Sequence, residues 1–117
     1  MYKLEKEKGS IRITNDVFTT LAGLAATNCF GVKGMAFRSM SDGLVHLLKR
    51  ESMGKGVRIG FDEADNVIIE LHIVVDNGVN IPAISSSIIN EVTYKVQEAT
   101  AVPVSQVDIF VDSMMVD

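Results

Sequence analysis

The stretch Val57-Arg58-Ile59-Gly60-Phe61-Asp62-Glu63-Ala64-Asp65-Asn66-Val67-Ile68-Ile69-Glu70-Leu71-His72-Ile73-Val74-Val75 decides how this chain folds. Val57, Ile59 and Phe61 alternate with Arg58, Gly60 and Asp62. After the acidic turn, Val67, Ile69, Leu71, Ile73 and Val75 alternate with Ile68, Glu70, His72 and Val74. Side chains on a strand point to opposite faces with period two, so this is a β-hairpin with one wholly apolar face and one mixed face. The apolar face asks for a covering layer, and the mixed face fits partial contact with water.

The flanking segments supply that layer. Downstream, Asn77-Gly78 makes a turn, Asn80 is placed to cap a helix, and Pro82 sits in its first turn, where a missing N–H costs little. Ile81, Ile84, Ile88, Val92 and Ala99, with Ile89 and Val96 beside them, predict a long amphipathic helix to about Thr100. Val102-Pro103 breaks it. Val107, Ile109 and Val111 then alternate with Asp108, Phe110 and Asp112 as a last strand, placed to return parallel to a hairpin strand. Upstream, Ser10 to Thr14 reads as a short strand. Asn15 or Asp16 is the predicted cap of a helix carrying Val17, Leu21, Leu24 and Ala25, widened by Phe18 and Ala22. It stops near Asn28, with Gly31 as a left-handed turn residue. Val32 to Arg38 reads as a strand, Ser39 to Asp42 as a polar break, Gly43 to Arg50 as a short helix, and Ser52 to Gly56 as a loop. The reading is an α+β, two-layer sandwich: one mixed, mostly antiparallel sheet of four to five strands, with two main helices on one face. Residues 1–8 read as a flexible charged N-terminus and 9–117 as one domain.

The bulk numbers agree with one domain. At 117 residues and 47% apolar content, the chain can bury a sizeable core without disulfides or a structural metal. Its lone Cys29 has no internal partner and fits a reducing compartment. Met1 to Lys8 has no apolar stretch, so no secretory signal is expected there. The Val67 to Val75 run falls far short of the roughly 20 residues that span a bilayer, so membrane contact is expected only through a partner. A net charge of −4 with no tryptophan argues against a phosphate-tracking or base-stacking surface.

Four stretches, taken together, resemble the alkaline shock protein family, the general or envelope stress proteins of Gram-positive bacteria. They are Gly9-Ser10-Ile11-Arg12-Ile13-Thr14-Asn15-Asp16-Val17; Leu21-Ala22-Gly23-Leu24-Ala25-Ala26 with Gly31-Val32 and Gly34-Met35; Gly56-Val57-Arg58-Ile59 with Val75-Asp76-Asn77-Gly78; and Ala101-Val102-Pro103-Val104 with Val107-Asp108-Ile109-Phe110-Val111. The likeness runs from about Gly9 to Val116. It implies a small cytoplasmic protein tied to cell-envelope and alkaline stress, in some cases held at the membrane by a separate anchor protein, and in some cases self-assembling. It transfers no catalytic residue, cofactor or metal ligand.

Each reactive group also has a plain structural reading. Cys29 with His46 and His72 could form a nucleophile–base set, but Cys29 sits at a helix end, where no dipole lowers its pKa. Glu70, His72 and Arg58 could hold a ligand; a zinc site would need further ligands, and a solvated cross-strand patch is simpler. Asp62, Glu63, Asp65 and Asn66 are rich in oxygen, yet an EF-hand would need glycine where Val67 stands. Gly54-Lys55-Gly56 lacks the Ser or Thr of a phosphate loop. Gly31-Val32-Lys33-Gly34 has the spacing of the RNA-clamping loop of KH domains, but leads into a strand rather than a second helix. What remains is a surface: Arg58, Ile68, Glu70, His72, Val74, Asp108 and Phe110 on the outward sheet face, with Met35, Met40, Met53, Met114 and Met115 near turns or the tail. The functional expectation is a non-enzymatic scaffold of the envelope stress response, self-associating or bound to a protein partner, with no cofactor and no small-molecule substrate. A KH-like nucleic-acid module and a small-molecule binder are the alternatives.

Overall fold

A computed structural model describes residues 1–38 and 44–116. In chain order the elements are β1 (Tyr2–Lys6), β2 (Gly9–Ile13), α1 (Asn15–Thr27), β3 (Val32–Arg38), β4 (Val45–Leu47), a 3₁₀ helix (Arg50–Gly56), β5 (Val57–Phe61), β6 (Val67–Val75), α2 (Ile81–Thr100) and β7 (Val104–Met114). β6 is the axis of the main five-stranded sheet. One of its edges carries β7 along its full length, in parallel. Its other edge is shared end to end, by β5 beside Val67 to Leu71 and by β3 beside Ile73 to Val75, both antiparallel. β4 pairs outside β3. The expected α+β sandwich with a mixed, mostly antiparallel sheet is borne out.

The core lies where the hairpin predicts it. Val67, Ile69, Leu71, Ile73 and Val75 are all fully buried against Phe18, Ala22, Ala25 and Ala26 of α1 and Ile84, Ile88, Val92 and Val96 of α2. The face of α1 that turns inward is centred on Phe18 and Ala22, so Val17, expected in the stripe, stands exposed. Small residues permit the approach: a side chain on Gly23 would come within 3.1 Å of Met53 Sδ. The α2 cap forms as predicted, with the Ala83 N–H donating to Asn80 Oδ1 at 3.0 Å. The α1 cap does not. Thr14 occupies that position, and its carbonyl accepts the Val17 N–H while no side chain caps. Gly31 takes the left-handed conformation at φ 87°.

Three local readings need correction. The helix expected over Gly43 to Arg50 is instead the short strand β4, with Ala36 opposite Leu47 and the Leu48 N–H donating to the Met35 carbonyl. A short, mostly apolar run such as Leu44 to Leu48 fits either period, and the free edge of β3 decides it. The polar break expected over Ser39 to Asp42 lies outside the described residues, as does Met40. Ser52 to Gly56, read as a loop, belongs to the 3₁₀ helix. The N-terminus, read as a flexible arm, pairs Tyr2 to Lys6 against Gly9 to Ile13 as a second, two-stranded sheet. Its period-two pattern was hidden by charges on one face, and Tyr2 anchors it by stacking on Phe61 at 6.3 Å between ring centres.

The histidine cluster on the uncovered sheet face

The outward side of the sheet is built from the even-numbered residues of β6 and β7. Glu70 lies opposite Asp108 and His72 opposite Phe110 in the parallel ladder. Across the other edge, Arg58 of β5 lies opposite Glu70. Between Ile73 and Val74 the register shifts, because Val111 faces Ile73 while Ser113 faces Val74. Asp112 is therefore the extra residue of a bulge, and a bulge re-aims its side chain. It points at His72.

The result is a closed set of contacts. His72 Nε2 lies 2.9 Å from Glu70 Oε2, and His72 Nδ1 lies 2.9 Å from Asp112 Oδ2. A neutral imidazole carries one N–H and could satisfy only one carboxylate; the geometry calls for the imidazolium, donating from both nitrogens. Partial burial alone would lower the His72 pKa. The hydrogen bonds the ring donates to Glu70 and Asp112, with their charges, outweigh it and raise the pKa above the ordinary histidine value. Phe110 stacks on the ring at 4.7 Å between centres, a cation–π arrangement. Arg58 Nε is 3.9 Å from Glu70 Oε2 but is largely exposed, so it adds little.

Beside the cluster lies a cleft of about 560 Å³, lined by Ala36, Phe37, Lys55, Arg58, Glu70, His72 and others. Its floor is where β5 begins and β3 passes. Gly56 is required there, since a Cβ on it would stand 2.9 Å from the Ala36 carbonyl oxygen.

Among the residues singled out from the sequence, the fold brings together Arg58, Glu70, His72 and Phe110. Ile68 and Asp108 lie further along the same strands, both half-buried, with Asp108 accepting a hydrogen bond from Gln106 at 2.7 Å. Val74 is a correction. It is 3% exposed and belongs to no surface. Its neighbour Gly34 is roofed by Leu47 of β4, whose Cδ1 lies 2.8 Å from where a Cβ on Gly34 would stand. Met35 is likewise in the core, and Met53 is half-buried beside α1. Asp112 was missed as a site residue. Its outward direction follows from alternation, but its contact with His72 depends on the bulge.

The other candidates have structural roles. The Cys29 thiol donates to the Ala25 carbonyl at 3.3 Å, and burial, with the charge of Glu91, pushes its pKa up. Both ring nitrogens of His72 are taken by carboxylates, so no Cys–His72 pair exists. Asp62 Oδ1 accepts the backbone N–H groups of Asn66 and Ala64, so the acidic turn uses this oxygen to hold itself. The Asn66 backbone bond chiefly holds the Asp62 carboxyl below its ordinary range. No group of three potential metal ligands occurs among the described residues. Gly31 leads into β3, as the sequence suggested.

Comparison with known proteins joins this fold to a family. The profile of the alkaline shock protein (Asp) family, described as having a cell envelope-related function, matches residues 3–116. The chain belongs to the alkaline shock protein family. Relatives include the uncharacterised protein YloU of Bacillus subtilis (strain 168), 31% identical over 97% of this chain and 95% of that protein. Another is the uncharacterised protein Spy1614 of Streptococcus pyogenes serotype M6, 29% identical over 97% of this chain and 94% of that protein. A third is the uncharacterised protein YqhY of B. subtilis, 26% identical over 93% and 79%. No solved structure matches the chain at a comparable level. The family resemblance read from the sequence is thus borne out, and membership brings with it a function related to the cell envelope. No helix among the described residues is long and apolar enough to cross a membrane.

Proposed function

We propose that this member of the alkaline shock protein family is a non-enzymatic interaction protein of the cell-envelope stress response. It acts in the cytoplasm through the uncovered face and edge of its sheet, on further copies of itself or on a protein partner. Any hold on the membrane comes through an anchor protein. The observation that carries this reading is the His72 cluster. Its imidazole spends both nitrogens on Glu70 and Asp112, so it presents neither a free base nor an open ligand position. Beside it Phe110 remains 44% exposed, on a face that no second layer covers among the described residues.

The test is crosslinking with mass spectrometry in the native host, alongside light scattering of the purified chain. Self-links or partner links through β6, β7 and Arg58 are expected, and Phe110→Asp should weaken them while circular dichroism shows the chain still folded. A chain that stays monomeric at high concentration and yields no crosslinked partner overturns the reading. The cleft supports a second reading, a small anionic ligand held by Lys55 and Arg58. A metabolite screen in which some anion raises the melting temperature of the wild type but not of Arg58→Ala would favour it.

A further inference from the structure

We infer that the β1–β2 hairpin is an arm that docks, by strand addition, onto the open edge of β7 in a second copy of the chain. This deepens the self-association reading above and rests on it.

The arm stands off the body. Residues 3–12 are all exposed, and it is held at its base by Tyr2 on Phe61 and by Ile13 at the core. It contributes to an elongated molecule, 56 × 32 × 24 Å. A two-stranded hairpin alone in water is marginal, so a projecting one gains most from an added strand. Its pairing puts Tyr2, Leu4, Ile11 and Ile13 on one face, and Lys3, Glu5, Ser10 and Arg12 on the other. Ile11 remains 48% exposed and Leu4 36%.

The acceptor has the matching pattern. β7 is eleven residues long, and among the described residues it pairs only with β6, leaving its other edge open. Open edges of this length invite strand addition. One face of β7 shows the half-buried Val107, Ile109 and Val111, and the other shows Gln106, Asp108, Phe110 and Asp112. An arm strand laid along this edge with its apolar face toward the helix side continues that apolar stripe. Lys3 and Arg12 then fall on the side of Asp108. The charges agree at larger scale. Residues 1–13 hold four cations and two acids, a net +2, on a chain of net −4, which leaves −6 on the remainder.

The arm cannot reach the β7 of its own chain, because Phe61, on which it is seated, belongs to β5 at the opposite edge of the sheet. Donor and acceptor therefore lie on different copies, and the contact is head to tail.

The experiment is sedimentation velocity of the full chain over a concentration series at low and high salt, with a thermal melt for every variant. Ile11→Asp should raise the concentration of half-assembly by about tenfold or more while leaving the melt unchanged. Asp108→Lys alone, and Lys3→Glu with Arg12→Glu, should each weaken assembly, and the three changes together in one chain should restore it. If the wild type assembles and these variants assemble equally well, the arm inference fails and the self-association reading survives. If the wild type never assembles, both fail. If Ile11→Asp instead removes binding to anionic phospholipid vesicles while assembly persists, the arm belongs to a lipid surface and the inference is overturned.

Discussion

Raising the pH through the titration of His72 should cost this fold about 1 kcal/mol. In the folded chain the imidazole donates to two carboxylates, and Arg58 and Lys55 are the cations on the β5 side of the cleft. The folded pKa is raised, so stability from this group is fully present below the unfolded value of about 6.5. It is lost as pH rises through the folded pKa. Once neutral, the ring keeps one N–H and turns a lone pair toward the other carboxylate. A charge-assisted hydrogen bond contributes about 1.5–3 kcal/mol where it is sheltered. The His72 side chain here is 30% exposed and that of Glu70 28%, so solvent screening brings the loss down to about 1 kcal/mol. Urea unfolding of the wild type and of His72→Gln, each from about pH 6 to pH 9, measures it, since glutamine keeps a polar group but cannot carry the proton. The stability difference between the two chains should shrink with rising pH. Nitrogen-resolved NMR of the ring, in a His46→Asn background, should show both nitrogens protonated at the acid end. Parallel stability curves for the two chains would refute the two-carboxylate account.

Four further outcomes follow from the packing. Gly56→Ala forces a methyl against the Ala36 carbonyl and should cost about 1–3 kcal/mol. Gly60→Ala, in the same strand with nothing within 4 Å, should be neutral or gain about 0.5 kcal/mol; paired urea melts compare the two. Asn80→Ala removes the acceptor of the Ala83 N–H and should lower stability by about 1 kcal/mol, with circular dichroism reporting fraying at the start of α2. Ile88→Ala, at a fully buried site between α2 and β6, should cost about 2–5 kcal/mol by chemical denaturation.

Which features could be read in advance follows from the range of the forces that set them. The β5–β6 hairpin and α2 carry long one-sided patterns, a turn or a cap, and a core face that a register slip would expose. They stood as read, apart from details such as Ala99, which lies exposed at the end of the α2 stripe. Leu44 to Leu48 is too short to favour one period, and only the presence of β3 beside it makes a strand. The first strand is similar. Lys3 and Glu5 look like a solvated tail until Arg12 and Ser10 are seen opposite them. At the site, Glu70 and His72 share a face by spacing alone. Joining Asp112 to them required a parallel register and a bulge, neither of which alternation can specify. Val74 failed for the same reason, since alternation cannot show that its partner Gly34 leaves room for the Leu47 side chain of β4.

A two-layer sandwich leaves one sheet face without a covering layer, and this chain treats that face differently along its length. Near Val74 it is sealed, where the Leu47 side chain of β4 reaches over Gly34. In the middle it carries an imidazolium held between two acids and faced by Phe110. A face meant only for water would not need this. Exposed charges solvate themselves, whereas ordering His72 and two acids costs side-chain entropy. What the order provides is a fixed aromatic and a fixed charge pattern beside the edge of β7 that is open among the described residues. Fixed side chains lose less freedom when a partner binds, which is how a surface gains affinity without gaining area. In the proposed function, the two carboxylates that fix His72 are therefore also what suit this face to recognition.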